Sequence, residues 1–148
     1  GEEAVYSFMV LYHAKSYSFI KGCVYKYVNR PNSQSSLMIE DPWGPVAERL
    51  KDVCKEISVY DNYADTINGF FYTALVVSLD KMASIYSMEQ FKKKAYDRLK
   101  TYEEQYDNSF GLDTQNLSVK AKCVKFIVKR KWFGIFYVIS LIKEKILG

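Results

Sequence analysis

The chain has 148 residues, 49% of them hydrophobic, and a formal net charge of +4. A chain of this length can bury roughly two thirds of its unfolded surface, so its composition predicts a domain with a hydrophobic core. Three scattered cysteines and one histidine argue against a disulfide framework and a structural zinc site, and they favour a reducing, cytoplasmic setting. Because the first residue is Gly1 rather than Met, we expect that the chain was trimmed or that Gly1 is a residue left by its expression.

The first 36 residues predict a helix, a strand and a turn, in that order. Two glutamates and a helical apolar spacing predict a helix over residues 3–15. The apolar residues of this spacing are Val5, Phe8, Met9 and Tyr12. In an extended chain, successive side chains of residues 23–29 would lie on opposite faces. The run is also rich in tyrosine and valine, which favours a strand. The polar run 31–36 is rich in turn formers and predicts a break.

Residues 42–107 are helical in pattern. The first predicted helix has an apolar face made of Trp43, Val46, Leu50, Val53, Cys54 and Ile57. A helix over 63–85 is apolar on most faces, so we predict that it is the buried one. Another helix begins at Ser87, where Ser87 and Gln90 have the spacing of a capping box. Its inner stripe consists of Phe91, Ala95, Leu99, Tyr102 and Tyr106.

Residues 108–116 read as a loop, and the basic tail that follows predicts one or two helices with a break near Gly134. The sequence therefore predicts a mainly α fold, a helical bundle with one short β-strand or hairpin near the N-terminus. We divide it into three regions, 1–36, 37–116 and 117–148.

The tail, residues 117–148, carries most of the positive charge. Eight basic residues and one acidic residue give it a net charge of +7, whereas the rest of the chain has a net charge of −3. Its uncharged run from Trp132 to Ile142 is shorter than the roughly 20 residues that a membrane-spanning helix needs. Such a cationic and aromatic helix suits an anionic membrane surface, and a core helix with a solvated basic face is the alternative. The predicted membrane-surface residues are Lys125, Lys129, Arg130, Lys131, Trp132 and Phe133.

Common catalytic motifs are missing from the sequence. It has no glycine-rich phosphate loop, no H-E-x-x-H and no G-x-S-x-G elbow. The one histidine, His13, has aromatic and aliphatic neighbours, and we interpret it as structural because it has no evident nucleophile or acid partner.

The order of features near the N-terminus nevertheless resembles the C-terminal stretch of family 2 glycosyltransferases. G-E-E opens the helix A-V-Y-S-F-M-V-L-Y-H-A-K-S, the strand Y-K-Y follows, and N-R-P-N-S-Q-S-S comes next. Members of this family are inverting enzymes that use a nucleotide sugar, and in them a Gly-Glu-Asp or similar acidic pair starts a helix beyond the acceptor pocket. The resemblance covers residues 1–36. The family's nucleotide-binding α/β half, with its D-x-D metal motif, is not part of this sequence.

This resemblance implies roles for five residues. Glu3 matches the general base that deprotonates the acceptor hydroxyl, with Glu in place of the usual Asp, and Glu2 matches the acid before it. Arg30, Asn32 and Ser33 match the turn near the donor diphosphate, where such groups donate hydrogen bonds to phosphate oxygens. The alternatives are that the two acids only favour the helix N-terminus and that the turn is an ordinary solvated one.

The implied function is a C-terminal glycosyltransferase fragment, inactive alone. The intact enzyme would transfer a sugar from a nucleotide-sugar donor to a saccharide or lipid-linked acceptor in surface polysaccharide biosynthesis. We expect a divalent cation, Mg or Mn, only in the full-length enzyme, and a cytoplasmic location, peripheral on the inner face of the cell membrane. The alternative is a non-catalytic helical interaction or membrane-docking module. No nucleic-acid partner is expected because no binding motif accompanies the basic tail, and a homodimer is left open.

Overall fold

The computed structural model describes residues 2–19, 21–22, 39–105 and 119–147, and these residues contain six α-helices and no strand. The helices are α1 (Glu2–His13), α2 (Gly44–Glu56), α3 (Tyr60–Ile85), α4 (Met88–Gln105), α5 (Val119–Lys129) and α6 (Phe133–Leu147). The predicted mainly helical fold is therefore confirmed. The predicted strand over 23–29 lies outside the described residues and stays a prediction.

Helix α3 is the centre of the bundle, because it packs against α2, α4 and α6. Its buried side chains recur every three or four residues, and Phe71, Leu75 and Leu79 are fully buried. The prediction that this helix is the buried one is thus confirmed. It begins at Tyr60, slightly earlier than predicted, and directly follows the turn that ends α2.

The start of α4 has the predicted capping box. The Ser87 backbone N–H donates to Gln90 Oε1 at 3.3 Å, and the Gln90 N–H donates to Ser87 Oγ at 3.5 Å. Each side chain therefore satisfies a backbone donor that the first turn leaves without a helical partner. The predicted inner stripe is buried at Phe91, Ala95, Leu99 and Tyr102, and its fifth member lies outside the described residues.

The tail forms two helices, and the break comes just before Gly134, as predicted. Helix α5 ends in a Schellman motif, in which the Lys131 N–H donates to the Val128 carbonyl and the Trp132 N–H to the Ile127 carbonyl. Lys131 has a left-handed backbone with φ 56°, at the position where glycine is usual.

Helix α2 ends in the same way. The Ser58 N–H donates to the Lys55 carbonyl and the Val59 N–H to the Cys54 carbonyl, with Ser58 at φ 59°. Two non-glycine residues therefore hold the left-handed conformation at helix ends, which is costly for a residue with a Cβ.

Helix α6 completes the core. The Phe91 ring of α4 lies 6.5, 6.2 and 5.3 Å from the rings of Phe133, Phe136 and Tyr137. The Tyr137 hydroxyl also donates to the Tyr86 carbonyl at 3.0 Å, where α3 ends. The basic tail is thus fastened to α3 and α4 by an aromatic cluster and a hydrogen bond.

Candidate functional site

The predicted acidic pair lies at the start of α1. Glu2 is its first residue, and the Glu3 side chain is exposed. Among the described residues, Glu3 has no ion pair or hydrogen bond, so its carboxylate is accessible to a ligand. The positive end of the helix dipole favours carboxylates at this position whether or not they take part in chemistry. His13 is exposed in the last turn of α1, in edge contact with the Tyr12 ring.

The predicted diphosphate-binding residues Arg30, Asn32 and Ser33 lie outside the described residues. Their role therefore stays a prediction.

Sequence reasoning missed a polar cluster that begins at residue 40, which we call the Glu40–Asp41 hub. Its members are Glu40, Asp41, Tyr86, Lys94, Arg98 and Tyr102. The Arg98 guanidinium donates to Asp41 Oδ2 at 3.0 Å and to Glu40 Oε2 at 3.3 Å. Lys94 Nζ lies 3.2 Å from Glu40 Oε1, and the Tyr86 hydroxyl donates to the same carboxylate.

Asp41 also binds the first residue of α2. Its carboxylate accepts the Gly44 backbone N–H at 2.9 Å and the Tyr102 hydroxyl at 2.9 Å. A Cβ at position 44 would lie 2.3 Å from Asp41 Oδ2 and 2.7 Å from the Tyr102 oxygen. Only glycine fits there without displacing the hub.

The electrostatics of the hub indicate a structural role. The Tyr86 hydrogen bond lowers the pKa of Glu40 against the opposing effect of burial, and Lys94 and Arg98 lower it further. Two acids face two bases, so the charges balance and the carboxylates accept several donors. The hub therefore fixes the chain just after the predicted diphosphate turn to helix α4. An acid a few residues before a predicted helix was the one feature of the sequence that indicated it.

The predicted membrane-surface residues divide between the surface and the core. Lys129, Arg130, Lys131 and Trp132 are exposed together at the α5–α6 turn. Lys125 and Phe133, by contrast, are only 8% and 1% exposed. Phe133 is buried because its ring packs against the rings of α4, and Lys125 shares the inner side of α5 with buried Val128. Lys125 and Phe133 therefore lie in the interior and not at the predicted membrane surface.

Aromatic contacts order the α5–α6 turn. The Phe126 ring lies edge-on to the Trp132 ring at 5.4 Å, and the Arg130 guanidinium lies 5.5 Å from the centre of the Phe126 ring. Both rings are about half exposed, so an indole and three cationic side chains are presented together to solvent.

A second exposed feature is what we call the outer face of α6. Its five members are between 45% and 75% exposed, and all are isoleucine or valine. They are Ile135, Val138, Ile139, Ile142 and Ile146. The spacing of i, i+3, i+4, i+7 and i+11 places them on one side of the helix, opposite buried Phe133, Phe136 and Ser140. Sequence reasoning missed this face because the run from 132 to 142 is uncharged all round.

A cavity of about 360 Å³ adjoins the N-terminal end of this face. It is lined by Lys92 and Tyr96 of α4 and by the segment from Lys131 to Ile135. Lys92 Nζ would lie 3.5 Å from a Cβ built at Gly134, so an ammonium group from α4 reaches the first turn of α6.

The described ranges contain neither a membrane-spanning helix nor a cluster of metal ligands. None of the helices described is long and apolar enough to cross a membrane. Within the same ranges, no group of three or more His, Cys, Asp or Glu side chains could hold a metal ion.

Comparison of the chain with protein-family models, with curated proteins and with solved structures finds no match. The resemblance to family 2 glycosyltransferases therefore depends on the residues of the sequence alone.

Proposed function

We propose that this chain is the C-terminal part of an inverting glycosyltransferase. The intact enzyme would transfer a sugar from a nucleotide-sugar donor to a saccharide or lipid-linked acceptor. The observation that carries the proposal is the acidic pair at the start of α1, with Glu3 exposed and ready to meet a ligand. The hub supports it indirectly, because it holds the chain that follows the proposed diphosphate turn against the bundle.

In this proposal Glu3 is the general base. A sugar hydroxyl is a weak nucleophile, and a positioned carboxylate can remove its proton as the oxygen attacks the anomeric carbon. Arg30, Asn32 and Ser33 would then bind the departing diphosphate, since a guanidinium can form paired hydrogen bonds with phosphate oxygens. The remaining nucleotide-binding residues would come from a segment encoded before Gly1.

The test is Glu3→Gln in the full-length protein. Loss of a general base should lower kcat by about 10²- to 10⁴-fold, with a small effect on the KM for the donor. Glu104→Gln is the matched control, because Glu104 is exposed and its ion pair is with Lys100 on the same helix at 3.5 Å. Wild-type kcat in Glu3→Gln would refute the proposed base.

The second candidate is a non-catalytic helical module that docks on a partner or a membrane. It is favoured by the outer face of α6, whose five apolar side chains are 45% to 75% exposed. Isolated surface apolar residues are common, but a continuous apolar face indicates an interaction site. On this reading Glu3→Gln has no chemical consequence, whereas substitutions on α6 abolish docking.

A further inference from the structure

We propose that the outer face of α6 docks on an anionic phospholipid bilayer, with the helix lying in the plane of the headgroup layer. The inference rests on the docking role proposed above and is independent of the transfer chemistry assigned to Glu3. Its elements are an apolar arc, two flanking lysines and a basic aromatic turn at one end.

The apolar arc of α6 has the angular width expected of a helix that lies at a membrane surface. At about 100° per residue, the five residues of the outer face fall within an arc of about 100°, on the side opposite the core. No acidic residue lies in this arc, because Glu144 falls near the core side of the helix. A helix of this kind can sink its apolar side into the boundary between headgroups and acyl chains while its other side stays on the protein.

Lys143 and Lys145 fall on either side of the apolar arc. The long aliphatic stem of Lys145 allows its ammonium group to reach lipid phosphates while the isoleucines are immersed. Lys143 also forms an ion pair with Asp80 of α3, which holds its stem against the bundle. Both lysine side chains are exposed.

The N-terminal end of the face is suited to headgroups. Trp132 is exposed there beside Lys129, Arg130 and Lys131, and tryptophan favours the interface between lipid and water. The cavity is lined by Lys92, Lys131 and Ile135, so two basic side chains border a recess beside an apolar residue of the outer face. Each basic residue near an anionic surface strengthens binding by about fivefold.

Charge favours a bilayer over a second copy of the chain. In a symmetric dimer the same patch meets itself, so the flanking lysines and the basic turn of one copy would face those of the other. Residues 117–148 carry a net charge of +7, which makes such a contact repulsive and contact with an anionic leaflet attractive.

Vesicle flotation of the full chain tests the proposal. We expect binding to phosphatidylcholine vesicles that contain phosphatidylglycerol and little binding to phosphatidylcholine alone. Binding should weaken as the salt rises from 0.1 to 1 M, because the screening length falls from about 10 to about 3 Å. In a Trp43→Phe background, Trp132 fluorescence should shift to shorter wavelength only with the anionic vesicles.

The apolar face is tested by the double variant Ile139→Ser and Ile142→Ser. Both residues are about half exposed, so the core should be retained while binding to anionic vesicles falls by about tenfold. Leu11→Ser is the matched control, because Leu11 is 66% exposed on α1 and lies outside the proposed face. Its binding should equal that of the wild type.

The basic turn is tested by Lys131→Gly. Glycine relieves the left-handed backbone at φ 56°, so this variant should be at least as stable as the wild type while its binding falls by about fivefold. Ser58→Gly makes the same backbone change at the end of α2 and should leave vesicle binding unchanged. Loss of binding in Lys131→Gly therefore cannot be attributed to unfolding.

Three results would overturn the proposal. They are wild-type vesicle binding by the double variant, equal binding to neutral and anionic vesicles, and dissociation of a dimer by the double variant with no change in vesicle binding. The last result would assign the face to a second copy. The Glu3→Gln variant should bind vesicles normally, so failure of the base and failure of the docking face are separable.

Discussion

The ionisation of Glu40 should affect the free energy of unfolding of the whole fold. Its pKa is lowered from the usual 4.5, first by the Tyr86 hydrogen bond and then by Lys94 and Arg98. A carboxyl with a lower pKa in the folded state contributes stability above its unfolded pKa, and this contribution is lost as the pH falls through the folded value.

We therefore expect the free energy of unfolding to fall as the pH is lowered from about 4.5. In Glu40→Gln this decline should be shallower, and stability at neutral pH should be lower. Urea unfolding at a series of pH values measures both. Glu48→Gln, an exposed change on α2, is the control, and an equal decline in Glu40→Gln and the wild type would contradict the role of Glu40.

Residue-level roles were only partly predictable. The place of the acidic pair at a helix start could be predicted because its members are adjacent and precede a helical apolar spacing, and its role stays a prediction. The hub could not, because Glu40 and Asp41 meet partners that are 46 to 61 residues away along the chain. Local spacing carries no information about such pairings. Lys125 and Phe133 were misplaced for a related reason, since only packing between helices determines which side of a mixed helix is buried.

At the scale of elements, capping and apolar spacing predicted the helices well. These features act within one or two turns, so the sequence contains them in full. The start of α4 is an example, because its two reciprocal hydrogen bonds join residues three apart. Helix α6 is the exception: its uncharged run offers apolar side chains in every direction, so its inner side is decided by the aromatic contacts with α4.

The capping box gives a test at this scale. Ser87→Ala should lower the free energy of unfolding by about 1 kcal/mol, because the Gln90 N–H loses its acceptor. Ser84→Ala is the matched control, since Ser84 is exposed on α3 and donates only to the Lys81 carbonyl of its own helix. Its effect should stay within about 0.5 kcal/mol in chemical denaturation. Equal effects of the two substitutions would show that the cap is not formed.

At the scale of the whole molecule, the tail is both a charged surface and a part of the core. Residues of α5 and α6, among them Val128, Phe133 and Phe136, belong to the same hydrophobic cluster as the centre of α3 and the inner side of α4. The predicted regions 37–116 and 117–148 therefore share one core. The exposed basic residues of the tail lie on α5, at the α5–α6 turn and along α6, whereas Lys125 is buried.

Deletion of residues 118–148 should therefore abolish cooperative folding. The deletion removes the rings that cover Phe91 and exposes the core, so we expect binding of a hydrophobic dye and a broad thermal transition. Differential scanning calorimetry with dye fluorescence measures both. A sharp transition in the deleted chain would show that α6 is dispensable for the fold. The Ile139→Ser and Ile142→Ser double variant should unfold cooperatively, which makes point substitutions the sounder test of docking.

The requirement for glycine at position 44 can help to identify proteins related to this chain. Because a Cβ at position 44 would clash with Asp41 and Tyr102, and because Arg98 also binds Asp41, the geometry requires D-x-x-G ending at the first residue of α2 and R-x-x-x-Y on α4. Four side-chain identities at two fixed spacings are thus tied together by one geometry. This short paired pattern can identify chains with the same bundle after their overall identity has become too low to detect.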